Sequence, residues 1–487
     1  MNKINVNRIS WNKAIYLLIF IFFLCLNIQV YAALDDISSL EYEMYVDYQT
    51  YLDQYKDFTR PAREIVIPAV NYSRTDAEIE ILDGFATYDG KVLITPNTGL
   101  VEWEFYVEEA GLYNVALEYY PLEGMGSKIN RSIYINGEIP FGDARYIEFH
   151  RIWKYAGEIS KDNRGNEIAP HQIEAPQWVE ASLADSLGYY NEPYLFFFEE
   201  GMNTIAFEAQ KEPMAIGKIK IHQVKESPLY AEKLREYEEK GYRKTEGIMV
   251  KVQAEDLKLK SSSTIYPVYD LSDPLLEPYH HAEIRLNVIG GVRWQEPGDW
   301  AEWEIEVPED GLYVFGFKAK QNLVRGIYSS RRLYVDGEVP FREAETIEFK
   351  FSNDYEMVVP ANENGEPYYF YLSKGKHTIR MEVVMGRMAD IIRRTEDNLY
   401  QLNNIYRQVI MITSATPDKL RDYRLQERIP HVIEELGIRA LELKGIADEL
   451  ALNTGELGGQ VAQMNAISRQ LLDMAEHPRT IHKRIQQ

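Results

Sequence analysis

Trp300-Ala-Glu-Trp-Glu-Ile-Glu-Val-Pro-Glu-Asp-Gly-Leu-Tyr313 alternates apolar and acidic residues and then turns. An extended chain repeats every two residues. Ala301, Trp303, Ile305 and Val307 therefore share one face, and Glu302, Glu304 and Glu306 the other. The reading is strand, tight turn, next strand, with Gly311 taking the positive φ that such turns often need. The stretch recurs 200 residues earlier as Leu100-Val-Glu-Trp-Glu-Phe-Tyr-Val-Glu-Glu-Ala-Gly-Leu-Tyr113, with eight of fourteen positions identical. One β module is thus present twice.

Working outward, residues 63–225 read as the first module. Ile65-Val-Ile67 is a strand, Val101–Val107 and Leu112–Tyr119 form a hairpin, and Ile133–Ile139 forms another around Asn136-Gly137, a type I′ turn pair. Residues 248–385 repeat the module: Tyr334-Val-Asp-Gly-Glu-Val-Pro-Phe341 matches Tyr134-Ile-Asn-Gly-Glu-Ile-Pro-Phe141 at the same offset. Glu366-Pro-Tyr matches Glu192-Pro-Tyr at an offset of 174, so the second copy is 26 residues shorter between these landmarks. The surplus is the polar insertion Arg151–Tyr190, and loops of that length in a compact sandwich are usually functional or disordered. Residues 226–247 read as a charged helical linker. Residues 33–62 read as an N-terminal helix, from Leu40, Met44, Tyr48, Tyr51 and Tyr55 spaced three or four apart.

Residues 386–487 change to helix formers. Ile433, Leu436, Ala440, Leu443, Ala447 and Leu450 make a heptad seam. Val461, Met464, Ile467, Leu471 and Met474 make a second. Met388, Ile391, Thr395, Leu399, Leu402, Ile405 and Val409 make a third. The residues therefore read as two all-β sandwich modules, which the resemblance given below makes jelly rolls, followed by an α-helical bundle or coiled-coil region.

At the N-terminus Lys3, Arg8 and Lys13 precede the apolar run Ala14–Leu26, and Val30-Tyr31-Ala32 resembles a cleavage signal. Residues 1–32 thus read as a signal peptide and the protein as secreted or held at the cell surface, an uncleaved anchor being the alternative. The single cysteine, Cys25, lies inside that run, so the cleaved chain has no disulfide, thiol nucleophile or cysteine metal site. The net charge is −23, and −26 once residues 1–32 are removed. Such a surface repels nucleic acid, whose binding requires Lys and Arg. It suits neutral ligands and divalent cations.

Motifs of catalysis are missing: there is no Gly-x-Ser-x-Gly, no phosphate-binding Gly-rich loop with Lys-Ser/Thr, and no His-Glu-x-x-His. His280-His281 is the one histidine pair and reads as a surface loop. A glycosidase carboxylate pair needs an acid in an apolar pocket. The Glu-x-Glu runs read as solvent faces, and the chain as a non-enzyme.

Val252-Gln-Ala-Glu-Asp256, Gly298-Asp-Trp-Ala-Glu-Trp-Glu-Ile-Glu-Val307, the Gly-Leu-Tyr turn and Gly375-Lys-His-Thr-Ile379 resemble jelly-roll carbohydrate-binding modules of the galactose-binding-like kind. The resemblance implies that Glu255 supplies a carboxylate to a structural Ca2+. The first module has Ala69-Val70-Asn71 at that place, and Gly217 where the family often has an acid near the last strand. Further marks are Asp162-Asn-Arg-Gly-Asn166, Glu192-Pro-Tyr, Arg285-Leu-Asn-Val-Ile-Gly-Gly291, Glu366-Pro-Tyr and Pro417-Asp-Lys-Leu-Arg-Asp-Tyr423. With these the layout resembles the N-terminal region of large bacterial extracellular solute-binding proteins of sugar ABC transporters. That resemblance implies an oligo- or polysaccharide ligand and solute-binding or membrane transporter partners. The solute-binding domain that should follow is missing from the sequence, which implies a truncated, split or fragmentary member.

Sugars present C–H faces to aromatic rings and hydroxyls to polar groups. The ligand candidates are accordingly Trp153, Asp162, Asn163, Arg164 and Trp178 in the first module, and Tyr279, Arg293, Trp294, Arg325 and Tyr328 in the second. Trp103 and Trp303 read as core. The expected function is a non-catalytic carbohydrate-binding accessory protein. The alternatives are an interaction scaffold presenting a helical arm, or a carbohydrate-active enzyme.

Overall fold

The computed structural model describes residues 45–455 and 458–484. The expected signal peptide and residues 33–44 of the expected N-terminal helix lie outside the described residues. Among the described residues no helix is long and apolar enough to cross a membrane.

The first sandwich has two antiparallel sheets. The larger runs Val179–Ser182, Gly111–Pro121, Met214–His222, Lys91–Thr95, Glu80–Asp83, with Ile65–Pro68 also on Met214–His222 and Leu195–Phe198 on Gly111–Pro121. The smaller runs Arg74–Thr75, Gly99–Val107, Gly201–Lys211, Ile129–Ile135, Ile147–Phe149. Trp103, Tyr113, Leu117, Phe207 and Ile219 are buried between them.

The two expected hairpins are not hairpins. Gly99–Val107 and Gly111–Pro121 lie in opposite sheets, so the turn between them is a corner of the sandwich. The Tyr113 hydroxyl pins that corner by donating to the Glu109 carbonyl at 2.7 Å. Tyr313 does the same to Glu309 at 2.8 Å. Gly111 and Gly311 take no positive φ. They permit close approach: a Cβ on Gly111 would lie 2.7 Å from the Thr59 carbonyl. Asn136 and Gly137 do turn with positive φ, but the returning chain makes only the Ile135–Glu138 bridge before a 3-10 turn.

The repeated unit is larger than a sandwich. Helix Tyr48–Gln54 begins at Asp47, whose carboxylate caps the Thr50 amide at 2.9 Å. The Tyr48 hydroxyl accepts from Leu195 N at 2.8 Å, and its ring sits 4.8 Å from Phe141. In the expected linker, helix Tyr230–Glu239 repeats this: the Tyr230 hydroxyl accepts from Tyr369 N at 3.0 Å and its ring lies 4.9 Å from Phe341. Leu195 and Tyr369 are related by the 174 offset. Residues 226–247 are therefore the opening of the second repeat, packed on it.

The second sandwich keeps one full sheet: Gln172–Glu174, Trp153–Tyr155, Leu259–Lys260, Trp300–Val307, Gly375–Val384, Ser329–Val335, Ile347–Phe349. Its first two strands come from the insertion of the first module. Glu302, expected on a solvent face, is buried there and pairs with Arg380 at 2.7 Å. The facing sheet is reduced to two pairs, Gly311–Tyr313 with Phe370–Leu372 and Phe317–Ala319 with Glu356–Val358. The cause lies at the turn after Gly375–Val384. Gly386 (φ 56) matches Glu212 (φ 63), but Met388 opens a helix where Met214 opens the central strand of the larger sheet.

Helices Met388–Thr413, Pro430–Thr454 and Gly459–Glu476 pack antiparallel, as the Arg394–Glu449 pair, the Asn398 bond to the Arg439 carbonyl and the Ser468 bond to the Ala440 carbonyl show. All six residues of the seam Ile433 to Leu450 are buried. The other two slip by one position: Asn398 and Ser468 are buried, while Leu399 and Ile467 are exposed.

Candidate functional site

The insertion after Arg151 is a strap. Trp153 pairs with Lys260, which brings the first module into the second module's sheet. Asp162 folds the next turn by accepting from Arg164 N and Asn166 N. That turn hooks the second module: Asn166 Oδ1 accepts from Ile284 N at 3.0 Å, the Gly165 carbonyl from Arg285 at 2.8 Å, and Glu167 from Leu286 N at 2.8 Å. Farther along, Asn191 exchanges bonds with both backbone groups of Gly386, and Tyr189 donates to Glu396 on the first long helix.

A buried ion pair anchors the root of the strap. Arg151 donates to Glu212 at 2.7 Å and Glu174 at 2.8 Å, and to the carbonyls of Leu122 and Ser127. Glu212 also accepts from Met125 N, Ser127 N and the Ser127 hydroxyl. Burial pushes its carboxyl up, but the Ser127 and Met125 bonds and the Arg151 charge outweigh this and hold it below the usual range. The loop so fixed supports Trp153, whose ring is 3.4 Å from where a Gly126 Cβ would sit.

The ten nominated ligand residues do not converge. Trp153 and Asp162, with Asn163 and Arg164 in the same turn, belong to the strap. Trp294 is buried, donates to the Asp299 carbonyl at 3.0 Å and lies 6.1 Å from Trp303. It is core and offers no sugar platform. Arg293 lies over the Tyr266 ring at 4.7 Å. Tyr328 donates to the Asn453 carbonyl and packs on the helices, and Arg325, in the same loop, lies beside Gly458. Tyr279 stands exposed on a separate loop. His280 and His281 also occupy a loop, their rings stacked at 4.7 Å.

Trp178 alone joins an aromatic patch, with three residues the sequence reading missed. Its ring lies 4.4 Å from Tyr88 and 5.6 Å from Tyr120, and Phe85 is 5.4 Å from Tyr120. All four are half-buried. The strand alternation places Tyr120 beside Glu118 on the outer face of the larger sheet, a signal that was available in Leu112–Tyr119. Tyr88 crosses Gly217, where a Cβ would lie 2.6 Å from its ring. Thus a small residue replaces the acid that the resemblance led one to seek there. Polar groups border the patch: Tyr88 donates to Glu118 at 3.0 Å, Lys218 pairs with Glu118 at 3.2 Å, and Lys220 with Glu180 at 2.6 Å. Rings flanked by hydroxyl, carboxylate and ammonium groups match the two faces of a sugar. A groove of about 450 Å³ lies elsewhere, between helices Pro430–Thr454 and Gly459–Glu476, and none of the ten residues lines it.

Glu255 matches Val70 of the first module, because Trp303 Nε1 donates to the Ala254 carbonyl at 2.9 Å as Trp103 Nε1 does to Ala69 at 2.8 Å. Its side chain is buried, Oε2 has no partner, and burial raises its carboxyl to about 7. A desolvated, unpartnered carboxylate oxygen fits a hard cation. No cluster of three His, Cys, Asp or Glu occurs among the described residues, so carbonyl and water oxygens would complete such a site.

No curated protein matches the chain. Among solved structures it is similar to a family 35 carbohydrate binding module from Clostridium thermocellum, at 15% identity over 34% of this chain and 100% of that one, with a TM-score of 0.21. It is also similar to the C-terminal CBM6 of the laminarinase LamC from Zobellia galactanivorans, at 11% identity over 33% of this chain and 100% of that one, TM-score 0.20. A third is the CBM35 of Cellvibrio japonicus Abf62, at 14% identity over 33% and 92%, TM-score 0.20. The sandwich assignment rests on the strand pairing above. Residues 390–487 match the family described as bacterial solute-binding protein, 4-helix bundle domain.

Proposed function

We propose that this protein is a non-catalytic carbohydrate-binding accessory whose sugar site is the outer face of the first sandwich. The patch Phe85, Tyr88, Tyr120 and Trp178, bordered by Glu118, Glu180 and Lys218, carries the reading. The basic and apolar N-terminal segment supports export. The solute-binding 4-helix bundle match over residues 390–487 supports a place in a sugar-uptake system with transporter partners. Glu255 would hold a structural Ca2+ in the second module, and the ion would supply the charge its buried carboxylate lacks.

Affinity electrophoresis against a polysaccharide panel tests the sugar reading. The protein should be retarded by at least one neutral glycan, and Trp178→Ala should abolish the retardation without altering the melting temperature. No retardation by any polysaccharide, with or without Ca2+, would replace it with the scaffold reading, which the strap favours by tying both modules to the first long helix. Reducing-sugar release from the same panel would instead indicate an enzyme. For the cation, Ca2+ should raise the melting temperature of the wild type and not of Glu255→Gln.

A further inference from the structure

In the first sandwich Met214–His222 is the central strand, joining Gly111–Pro121 on one side to Ile65–Pro68 and Lys91–Thr95 on the other. The second copy keeps counterparts of Gly111–Pro121 and Ile65–Pro68, but a helix begins at Met388 where that strand would start. Its counterpart of Gly111–Pro121 is the segment from Gly311 to Ala319, which pairs along one edge with Phe370–Leu372 and Glu356–Val358, and whose other edge is met at Leu312 by a parallel bridge to Lys244. Among the described residues the backbone of 313–320 has no partner on the other edge. The counterpart of Ile65–Pro68 is Val250-Lys-Val-Gln253, aligned by the two indole bonds to Ala69 and Ala254. It forms no strand. Apolar side chains are uncovered along these segments: Met249 is 85% exposed, Val250 and Val252 39% each, and Val314 40%. Its own covering segment has turned away at Gly386 into the helix.

We propose that the second sandwich is a strand acceptor, completed by an extended segment of another polypeptide that inserts beside residues 313–320. The occupant is specified by the first copy. It is about nine residues long, runs antiparallel to residues 313–320, and carries apolar side chains where Ile219 and Ile221 point into the first core. Backbone bonds along an open edge supply the affinity and the alternating side chains the specificity. The inference is independent of sugar binding and stands if the aromatic patch is inert.

The test uses the full chain and a fluorescent peptide copying Pro213–Gln223, with an Ile219→Pro version as control. In the protein alone, amides of 314–320 should exchange on the order of 100-fold faster than those of 114–120, since edge amides open without global unfolding. The copied peptide should bind saturably by fluorescence anisotropy and slow exchange in 314–320. The proline peptide, which lacks one ladder donor and cannot lie in a central strand, should bind at least about tenfold more weakly. Equal protection of 314–320 and 114–120 without peptide would overturn the proposal. So would equal binding of the two peptides, or binding of neither.

Discussion

Replacing Glu212 by Gln tests the account of the strap's root. The carboxylate accepts from Arg151, Met125 N, Ser127 N and the Ser127 hydroxyl, and both ion-pair side chains are 1% exposed. The variant leaves the Arg151 guanidinium buried with only half-exposed Glu174 as a counter-charge. Breaking one side of a buried pair costs about 3–5 kcal/mol. Arg151→Met should cost a similar amount, for it strands Glu212. The double variant Arg151→Met, Glu212→Gln should cost less than the sum by about 2 kcal/mol, since neither charge is then stranded. Urea unfolding followed by fluorescence supplies the cycle. The acid limb supplies a second reading. A carboxyl held below its ordinary value contributes stability that is fully present above the unfolded value and is lost as pH falls through the folded one. Wild type should therefore destabilise more steeply than Glu212→Gln below about pH 4.5. Single variants each costing under about 1 kcal/mol, or strict additivity, would refute the reasoning.

Gly111→Ala should destabilise by about 1–3 kcal/mol, because its Cβ meets Thr59 and Pro61 at 2.6–2.7 Å, as thermal melts will show. Gly311→Ala should cost less, since its nearest obstacle is the Thr245 methyl at 2.5 Å, the end of a side chain that can rotate. Tyr113→Phe and Tyr313→Phe should each cost about 1 kcal/mol in urea unfolding, the worth of the corner hydrogen bond. Asn166→Ala removes the Ile284 acceptor of the hook and should speed amide exchange at 284–286 while leaving 114–120 unchanged.

The duplication was legible because identities at a constant offset are a local property of the chain. Which strand pairs with which was not. Strand, turn and strand read alike whether the chain folds back in one sheet or crosses to the other, and only partners about 100 residues away, such as Ile205 opposite Trp103, decide it. The helical seam Ile433 to Leu450 was legible down to each residue, whereas in the other two seams Asn398 and Ser468 occupy the buried positions expected for Leu399 and Ile467, because polar side chains that bond a neighbouring carbonyl can be buried. The ligand residues fared worst. A long polar loop with tryptophans reads the same whether it grips a sugar or a neighbouring domain, and Trp294 looks like a loop residue until Trp303 and Arg331 are seen to enclose it. The departure at Met388 was hidden for a related reason: one residue type opens both a strand and a helix at matching positions.

Because Trp153–Tyr155 and Gln172–Glu174 complete a sheet whose remaining strands lie beyond residue 258, the covalent boundary between the halves is not the mechanical one. A protease cutting near residue 247 would release nothing: the fragments would stay joined by a shared β-ladder. Load applied at the first sandwich therefore has a second route into the other half, through the Trp153–Lys260 pairing as well as along residues 226–247.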